Sequence, residues 1–269
     1  MTQVRKTGTA WDVKLCDYAK TLVLDRPGWA WEFLRRNEDY KRDWHLSQAG
    51  LPRPIRHVSG AVYFRLRRRF LRAEGWGLVM FSNPNLCAND TNVFWHPKAH
   101  EKIVSCSTTH ANDNTSKPIG LENLRGKREV LVVGGVEYLV VTAPQKSARL
   151  VVNGHSLLMG APAMTFHIEG LDRIAPVTET LQTLKCLGGI EAAVQRDWGQ
   201  SELRLRECLV ALDGHLQGRT YRDIAEVLYG SDRVAETWTS ETRFMKDKVR
   251  RAVERGVELM NGGYRKLLS

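Results

Sequence analysis

The chain has 269 residues, 42% hydrophobic and 26% charged, which is ordinary globular usage and excludes wholesale disorder. No run approaches 18 uninterrupted apolar residues and no apolar stretch follows Arg5 and Lys6, so neither a transmembrane helix nor a secretory signal is expected. Forty Lys and Arg against thirty Asp and Glu leave +10, a balance that favours nucleic acid first, then an acidic protein surface or membrane headgroups.

The excess is uneven. Residues 1–80 hold 16 basic and 8 acidic side chains, residues 81–200 hold 11 of each, and residues 201–269 hold 13 and 11, so the first third carries most of it. Five scattered cysteines with no CxxC pair read as reduced thiols.

Over residues 10–75 the periodicity predicts helices. Asp25 followed by Pro27 is a helix opening, a carboxylate cap with Pro in the first turn. Trp29 and Phe33 then fall at i and i+4, and Tyr40 and Trp44 repeat the spacing. Trp31 sits about 160° from Trp29 around a helix of 3.6 residues per turn, so the two rings cannot share a face. One of them is expected to remain exposed as a docking surface. Leu51-Pro52-Arg53-Pro54 breaks the pattern, and Arg65, Arg67, Arg68, Arg69 and Arg72 follow, interleaved with Phe64, Leu66, Phe70 and Leu71. That run reads equally as a phosphate-contacting strip or as a basic amphipathic helix packed on a sheet.

Residues 76–175 read as β-rich. Glu129 to Val133, Gly134-Gly135 and Val136 to Val141 predict a hairpin with a two-glycine turn. Arg149 to Val152, Asn153-Gly154 and His155 to Met159 predict a second, and Met164 to Ile168 a fifth strand. Asn83 to Asn92 and Ser107 to Pro118 read as loops. No third glycine or helix opening follows Gly134-Gly135, so a nucleotide fingerprint is rejected. His96, His100, Cys106 and His110 mimic zinc-ligand spacing, but Pro97 and the missing CxxC argue against a metal.

From about Pro176 the pattern is helical to the end. Thr178 to Arg196, Leu203 to Leu216, Tyr221 to Tyr229 and about Thr239 to Met260 are the predicted helices. A scaffold helix, a short helix opened by Thr220, a connector and a longer basic helix is helix-turn-helix order. The nine-residue connector, Gly230 to Trp238, marks an extended turn. On the last helix Met245, Val249, Ala252, Val253 and Met260 share a face, with Arg243, Lys246 and Arg250 pointing away and Arg251 beside them. These four, with Arg222 on the short helix, are the candidate DNA-binding residues, weighed against a plain solvated helix face.

Three strings carry a family resemblance. Asp25-Arg26-Pro27-Gly28-Trp29-Ala30-Trp31-Glu32-Phe33-Leu34-Arg35-Arg36-Asn37, with Asp39-Tyr40 and Asp43-Trp44, resembles a short proteobacterial transcriptional regulator-like domain of unknown function. Asn92-Val93-Phe94-Trp95-His96-Pro97 is similar to the middle of the same proteins. Ala211-Leu212-Asp213-Gly214 through Tyr221-Arg222-Asp223-Ile224-Ala225 to Gly262-Gly263-Tyr264-Arg265-Lys266-Leu267-Leu268 is similar to their partner, a type VI secretion transcription-factor-like DNA-binding domain with an extended-turn helix-turn-helix. The resemblance implies activators of integrative and conjugative element excision and transfer. It also implies an acidic antiactivator protein as a partner, docking on the N-terminal domain, and an N-terminal domain that docks on the helix-turn-helix domain, with Trp29, Trp31 and Phe33 as the expected interdomain residues and Trp31 contacting the C-terminal domain.

The expected fold is α+β: a helical domain over 1–75, a β-hairpin-rich middle over 76–175, and a helix-turn-helix domain over 176–269. The expected function is transcriptional activation by binding double-stranded DNA, in the cytoplasm at the nucleoid, without catalysis, cofactor, metal or membrane. RNA polymerase and a second copy of the chain, as a homodimer, are further expected partners. The competing reading is an antiactivator-type interaction module that sequesters another regulator and does not bind DNA.

Overall fold

A computed structural model describes residues 13–112, 118–189, 199–238 and 244–269. The fold is mixed α+β, and it divides into two compact units. The first comprises residues 1–22 and 198–258, the second residues 23–197 and 259–269. Among the described residues, the helices between 200 and 258 thus share a unit with residues 13–22, while the last eleven residues belong to the other.

In the second unit, Asp25 caps α1 (Arg26–Leu34) by accepting from the Gly28 amide at 2.9 Å, as the Asp-x-Pro pattern predicts. Asn37 caps α2 (Glu38–Ser47) through the Tyr40 amide at 3.0 Å. The expectation that one of the two tryptophans stays exposed is overturned: Trp29, Trp31 and Phe33 are all buried. The helical-wheel argument assumed a helix with one covered face, whereas α1 is covered on nearly every side, with seven of its nine residues buried. Trp31 donates Nε1 to the Leu86 carbonyl at 3.0 Å and meets Tyr40 edge-on, the ring centroids 5.5 Å apart.

A seven-stranded sheet follows. β1 (Ile55–Arg56) and β2 (Val62–Leu66) replace the predicted end of the N-terminal helices. Val62-Tyr63-Phe64 is β-branched and aromatic, and pairing with the sheet outweighs the helical spacing. The arginine run is therefore not an amphipathic helix: Arg65 lies in β2, Arg67–Arg69 in the bend after it, and Arg72 in the short α3 (Leu71–Gly75). The other strands are β3 (Ile103–Thr109), β4 (Lys127–Val133), β5 (Val136–Ala143), β6 (Lys146–Gly154) and β7 (Ala163–His167), in the order β1-β2-β4-β5-β6-β3-β7. β2 runs parallel to β4 and β3 parallel to β6, while the remaining neighbours are antiparallel.

The Gly134-Gly135 hairpin forms as predicted, both glycines with positive φ. The second predicted hairpin does not form. β6 turns back on β5 through Pro144-Gln145 instead, and Asn153-Gly154 ends it. Residues Leu157–Met159 form a 3-10 turn because the buried carboxylate of Glu137 accepts from the Leu157 amide at 2.9 Å and from the Ser156 hydroxyl. β3 overlaps a predicted loop: its Ser and Thr residues hide the alternation, and Val104, Cys106 and Thr108 are buried once β6 and β7 flank it.

α4 (Ile174–Leu187) covers one sheet face with Val177, Leu184 and Leu187, against Val104, Val130, Val141 and Leu150. On the opposite face Val79, Met80 and Phe94 pack with Leu131, Val133 and Val140. The end of the chain closes this unit. A 3-10 turn (Gly263–Leu267) packs on α1, Tyr264 donates its hydroxyl to the Trp76 carbonyl at 2.9 Å, and Asn37 donates to the Met260 carbonyl at 3.3 Å.

The first unit packs α5 (Gln200–Leu216), α6 (Tyr221–Tyr229), α7 (Ser231–Thr237) and α8 (Phe244–Met260), the last residues of α8 belonging to the other unit. Among the described residues no helix is long and apolar enough to cross a membrane.

Two substitutions test this packing. A Cβ at Gly256 of α8 would stand 2.6 Å from the Cys208 carbonyl oxygen and 2.9 Å from Leu212 Cβ on α5. Gly256→Ala is expected to destabilise the helical unit by about 1–3 kcal/mol through overpacking, read by chemical denaturation. Trp31→Ala should lower the stability of the sheet-bearing unit by about 3–5 kcal/mol, the cost of emptying a buried aromatic site. A denaturation midpoint unchanged by Trp31→Ala would contradict its burial.

Candidate nucleic-acid interface

The helical unit is built for rigidity. α5 ends at Gly218, whose φ of 69° lets the chain reverse. Thr220 then opens α6 in a reciprocal capping box: the Asp223 amide donates to Thr220 Oγ1 at 3.2 Å and the Thr220 amide to Asp223 Oδ2 at 2.9 Å. Ile224, Ala225 and Leu228 of α6 are buried, as are Cys208, Leu209, Val210, Ala211 and Leu212 of α5. Tyr18 belongs to the same unit and donates its hydroxyl to Asp213 of α5 at 2.8 Å.

The long connector is not bare. Gly230, at φ 88°, breaks α6, and α7 occupies most of the span with Val234 fully buried. This short extra helix accounts for the length that sequence spacing read as an extended turn.

α8 presents its apolar face inward through Val249, Ala252 and Val253, with Met245 partly buried. Lys246, Arg250 and Arg251 are exposed on the remaining surface, and Lys246 and Arg250 share a face four residues apart. Arg250 is held along the helix by Glu254 at 2.8 Å and Asp247 at 3.6 Å. Arg222 is exposed on α6 beside Glu226 at 3.2 Å. Arg243 lies outside the described residues.

Lys248 does something different from its neighbours, and its spacing alone did not reveal it. Its ammonium lies 4.4 Å from the centre of the Tyr229 ring on α6 and 3.4 Å from Glu207 on α5. Burial pulls its pKa down, but Tyr229 and Glu207 outweigh that and hold it above the ordinary lysine value. Lys248 therefore ties the long helix to both of its neighbours rather than facing a ligand.

The zinc-like string is dispersed. His100 is buried with Nδ1 2.6 Å from the Leu268 carbonyl, Cys106 is buried in β3, and His110 stacks on His155 with centroids 3.9 Å apart. Among the described residues no group of three or more His, Cys, Asp or Glu could hold a metal ion.

Residues 163–269 match a family model described as "T6SS, Transcription factor, DNA binding domain", and residues 16–79 match a "Proteobacterial transcriptional regulator-like domain". The two matches support a DNA-binding transcription regulator. No curated protein matches the chain. The first match begins with β7 and runs through α4, so it covers parts of both compact units. Its final Gly-Gly-Tyr-Arg stretch is the segment that packs on α1.

His100 makes that closure pH-dependent. Burial, reinforced by the Arg149 guanidinium, lowers its pKa to about 3, so the folded state keeps the imidazole neutral and donating from Nδ1 to Leu268. The unfolded chain takes up this proton below about pH 6.5. The His100 contribution is therefore complete above that pH and declines toward pH 3, by up to about 1.4 kcal/mol per pH unit. Denaturation followed by tryptophan fluorescence between pH 7 and 4.5 should show a shallower decline in His100→Gln. Parallel pH profiles for the two proteins would remove His100 from the account.

Proposed function

We propose that the protein is a transcriptional activator that docks the exposed face of α8 in the major groove of double-stranded DNA. Lys246, Arg250, Arg251 and Arg243 contact the duplex there, and Arg222 braces a phosphate from α6. The observation that carries this reading is the exposed basic face of α8, on a helix whose other face is locked to α5 and α6. Its ion pairs with acidic neighbours are exposed, so the arginines can exchange them for phosphate or a base edge.

The finer reading rests on the family resemblance: the target genes serve mobile-element excision or conjugative transfer, and the protein acts in the cytoplasm at the nucleoid. RNA polymerase is the downstream partner and an acidic antiactivator the opposing one. A homodimer would match a two-fold operator. The chemistry is binding, without catalysis. One observation favours the antiactivator-type alternative. The helical unit holds 15 basic and 13 acidic residues, only +2, so its DNA affinity cannot rest on bulk charge.

Salt titration separates the two. Duplex binding by the full chain should weaken with salt on a log–log slope on the order of −3 to −7, since each phosphate contact releases about 0.9 counterion. Lys246→Ala combined with Arg250→Ala should weaken binding while leaving the denaturation midpoint nearly unchanged. No retention of any duplex at low salt would sink the DNA reading and favour the sequestering one.

A further inference from the structure

The helix-turn-helix does not hold the chain's charge. With +2 on the helical unit, the sheet-bearing unit carries 25 basic and 17 acidic residues, or +8 of the total +10. Much of this lies in one segment. Between Asp43 and Glu74 there are seven arginines and no Asp or Glu: Arg53, Arg56, Arg65, Arg67, Arg68, Arg69 and Arg72. All seven are exposed.

The fold places most of them on or beside the two strands at one edge of the sheet, with Arg72 on α3. β1 is the terminal strand and β2 its neighbour, and the bend after β2 carries Arg67–Arg69. Antiparallel pairing sets Ile55 against Tyr63 and Arg56 against Val62. Arg53 lies two residues before β1, and Arg65 lies two residues beyond the paired part of β2. Arg69 alone is neutralised within the segment: it grips Glu74 with Nε at 2.8 Å and Nη2 at 2.6 Å. Among the described residues none of the other six has an acidic partner.

Charged side chains do protect edge strands from pairing with other chains, and Arg56 and Arg65 meet that need. Arg67 and Arg68 lie beyond the strand and do not. The composition is selective as well: every basic residue of the segment is arginine, whose planar fork fits phosphate oxygens two at a time.

We infer that this arginine edge is a second DNA-binding surface, which grips the phosphate backbone of a duplex without reading its sequence. The inference rests on the proposed DNA-binding function and assigns the backbone affinity to a different unit from the base-reading helix. Five unpaired guanidiniums on and beside β1 and β2, with Arg72 following on α3, offer a phosphate backbone several charged forks within one short segment.

The test uses the full chain and a random-sequence 30-base-pair duplex at several salt concentrations. Replacing Arg53, Arg65, Arg67 and Arg68 together by Ala should make the log–log salt slope less negative by about 3.6, at about 0.9 for each phosphate no longer neutralised. Affinity at moderate salt should fall on the order of tenfold or more. The four-lysine variant should retain most of the slope. A charge-matched control, with Arg42, Lys98, Arg125 and Lys185 replaced by Ala, should be affected much less. A slope unchanged in the four-alanine variant, or an equal change in the control, would overturn the inference. Duplex binding that survives while binding to anionic vesicles or an acidic protein disappears would assign the edge to another polyanion and also overturn it. Failure of the two readings is distinguishable. Weakened binding with the four arginine replacements but not with Lys246→Ala and Arg250→Ala leaves this surface and sinks the α8 assignment, and the reverse pattern does the opposite.

Discussion

A carboxylate inside a nearly all-apolar helix sets the terms for the sheet-bearing unit. Glu32 is 2% exposed in the middle of α1, flanked by Trp31 and Phe33. An unpaired charge there would be prohibitive. Arg35 at 2.7 Å, Arg36 at 2.8 Å and the Ala88 amide at 2.8 Å satisfy it, and Arg35 also reaches the Pro84 carbonyl at 3.1 Å. Burial pushes the Glu32 pKa up, but the Arg36 and Arg35 guanidiniums and the Ala88 amide outweigh it, and the carboxyl titrates below its usual value. The same bonds fix the 84–88 loop against the helix. That loop then supplies the Leu86 carbonyl to Trp31, so one buried charge determines where two large aromatic side chains can sit.

A helix covered on so many sides needs partners from distant parts of the chain. The loop before Ala88 supplies one side, and the turn Gly263–Leu267 packs on the helix from the chain's end. Asp25 links it to the sheet as well: it caps α1 with one oxygen, while the other receives the Ser147 hydroxyl and lies 3.6 Å from Arg149 of β6. The terminal Gly-Gly-Tyr-Arg string is thus a packing element of the sheet-bearing unit, although it follows directly from the long helix α8.

Elements whose signals are local were legible in the sequence. The Asp25 helix opening, the Gly134-Gly135 turn and the Thr220 cap each depend on a few adjacent residues, and each stands where the residues predict. Features set by distant contacts were not. β3 is a strand because β6 and β7 flank it, and residues 155–159 turn because Glu137 reaches them from another strand. The helical wheel separated Trp29 from Trp31 correctly but has no information on what lies beyond the helix, so exposure was the wrong inference. At the candidate interface, spacing alone placed Lys246 and Arg250 on the open face of α8. It did not distinguish Lys248, an exposed side chain whose tie to α5 and α6 requires Tyr229 and Glu207 to come from two other helices.

The charge distribution gives the binding argument its physical shape. Base-edge contacts discriminate among sequences, whereas phosphate contacts raise affinity for every duplex alike. On the proposed function, a helix that reads bases from a unit of only +2 gains little nonspecific attraction from its own unit. On the inferred second surface, the arginine-rich edge of the other unit would raise specific and nonspecific affinity by the same factor, leaving their ratio to α8. Acidic surfaces that cover the edge would therefore weaken DNA binding in general without touching the residues that choose the sequence. Under the proposed function, that is an electrostatic route by which an acidic partner would oppose the protein, with salt dependence rather than sequence preference as its signature.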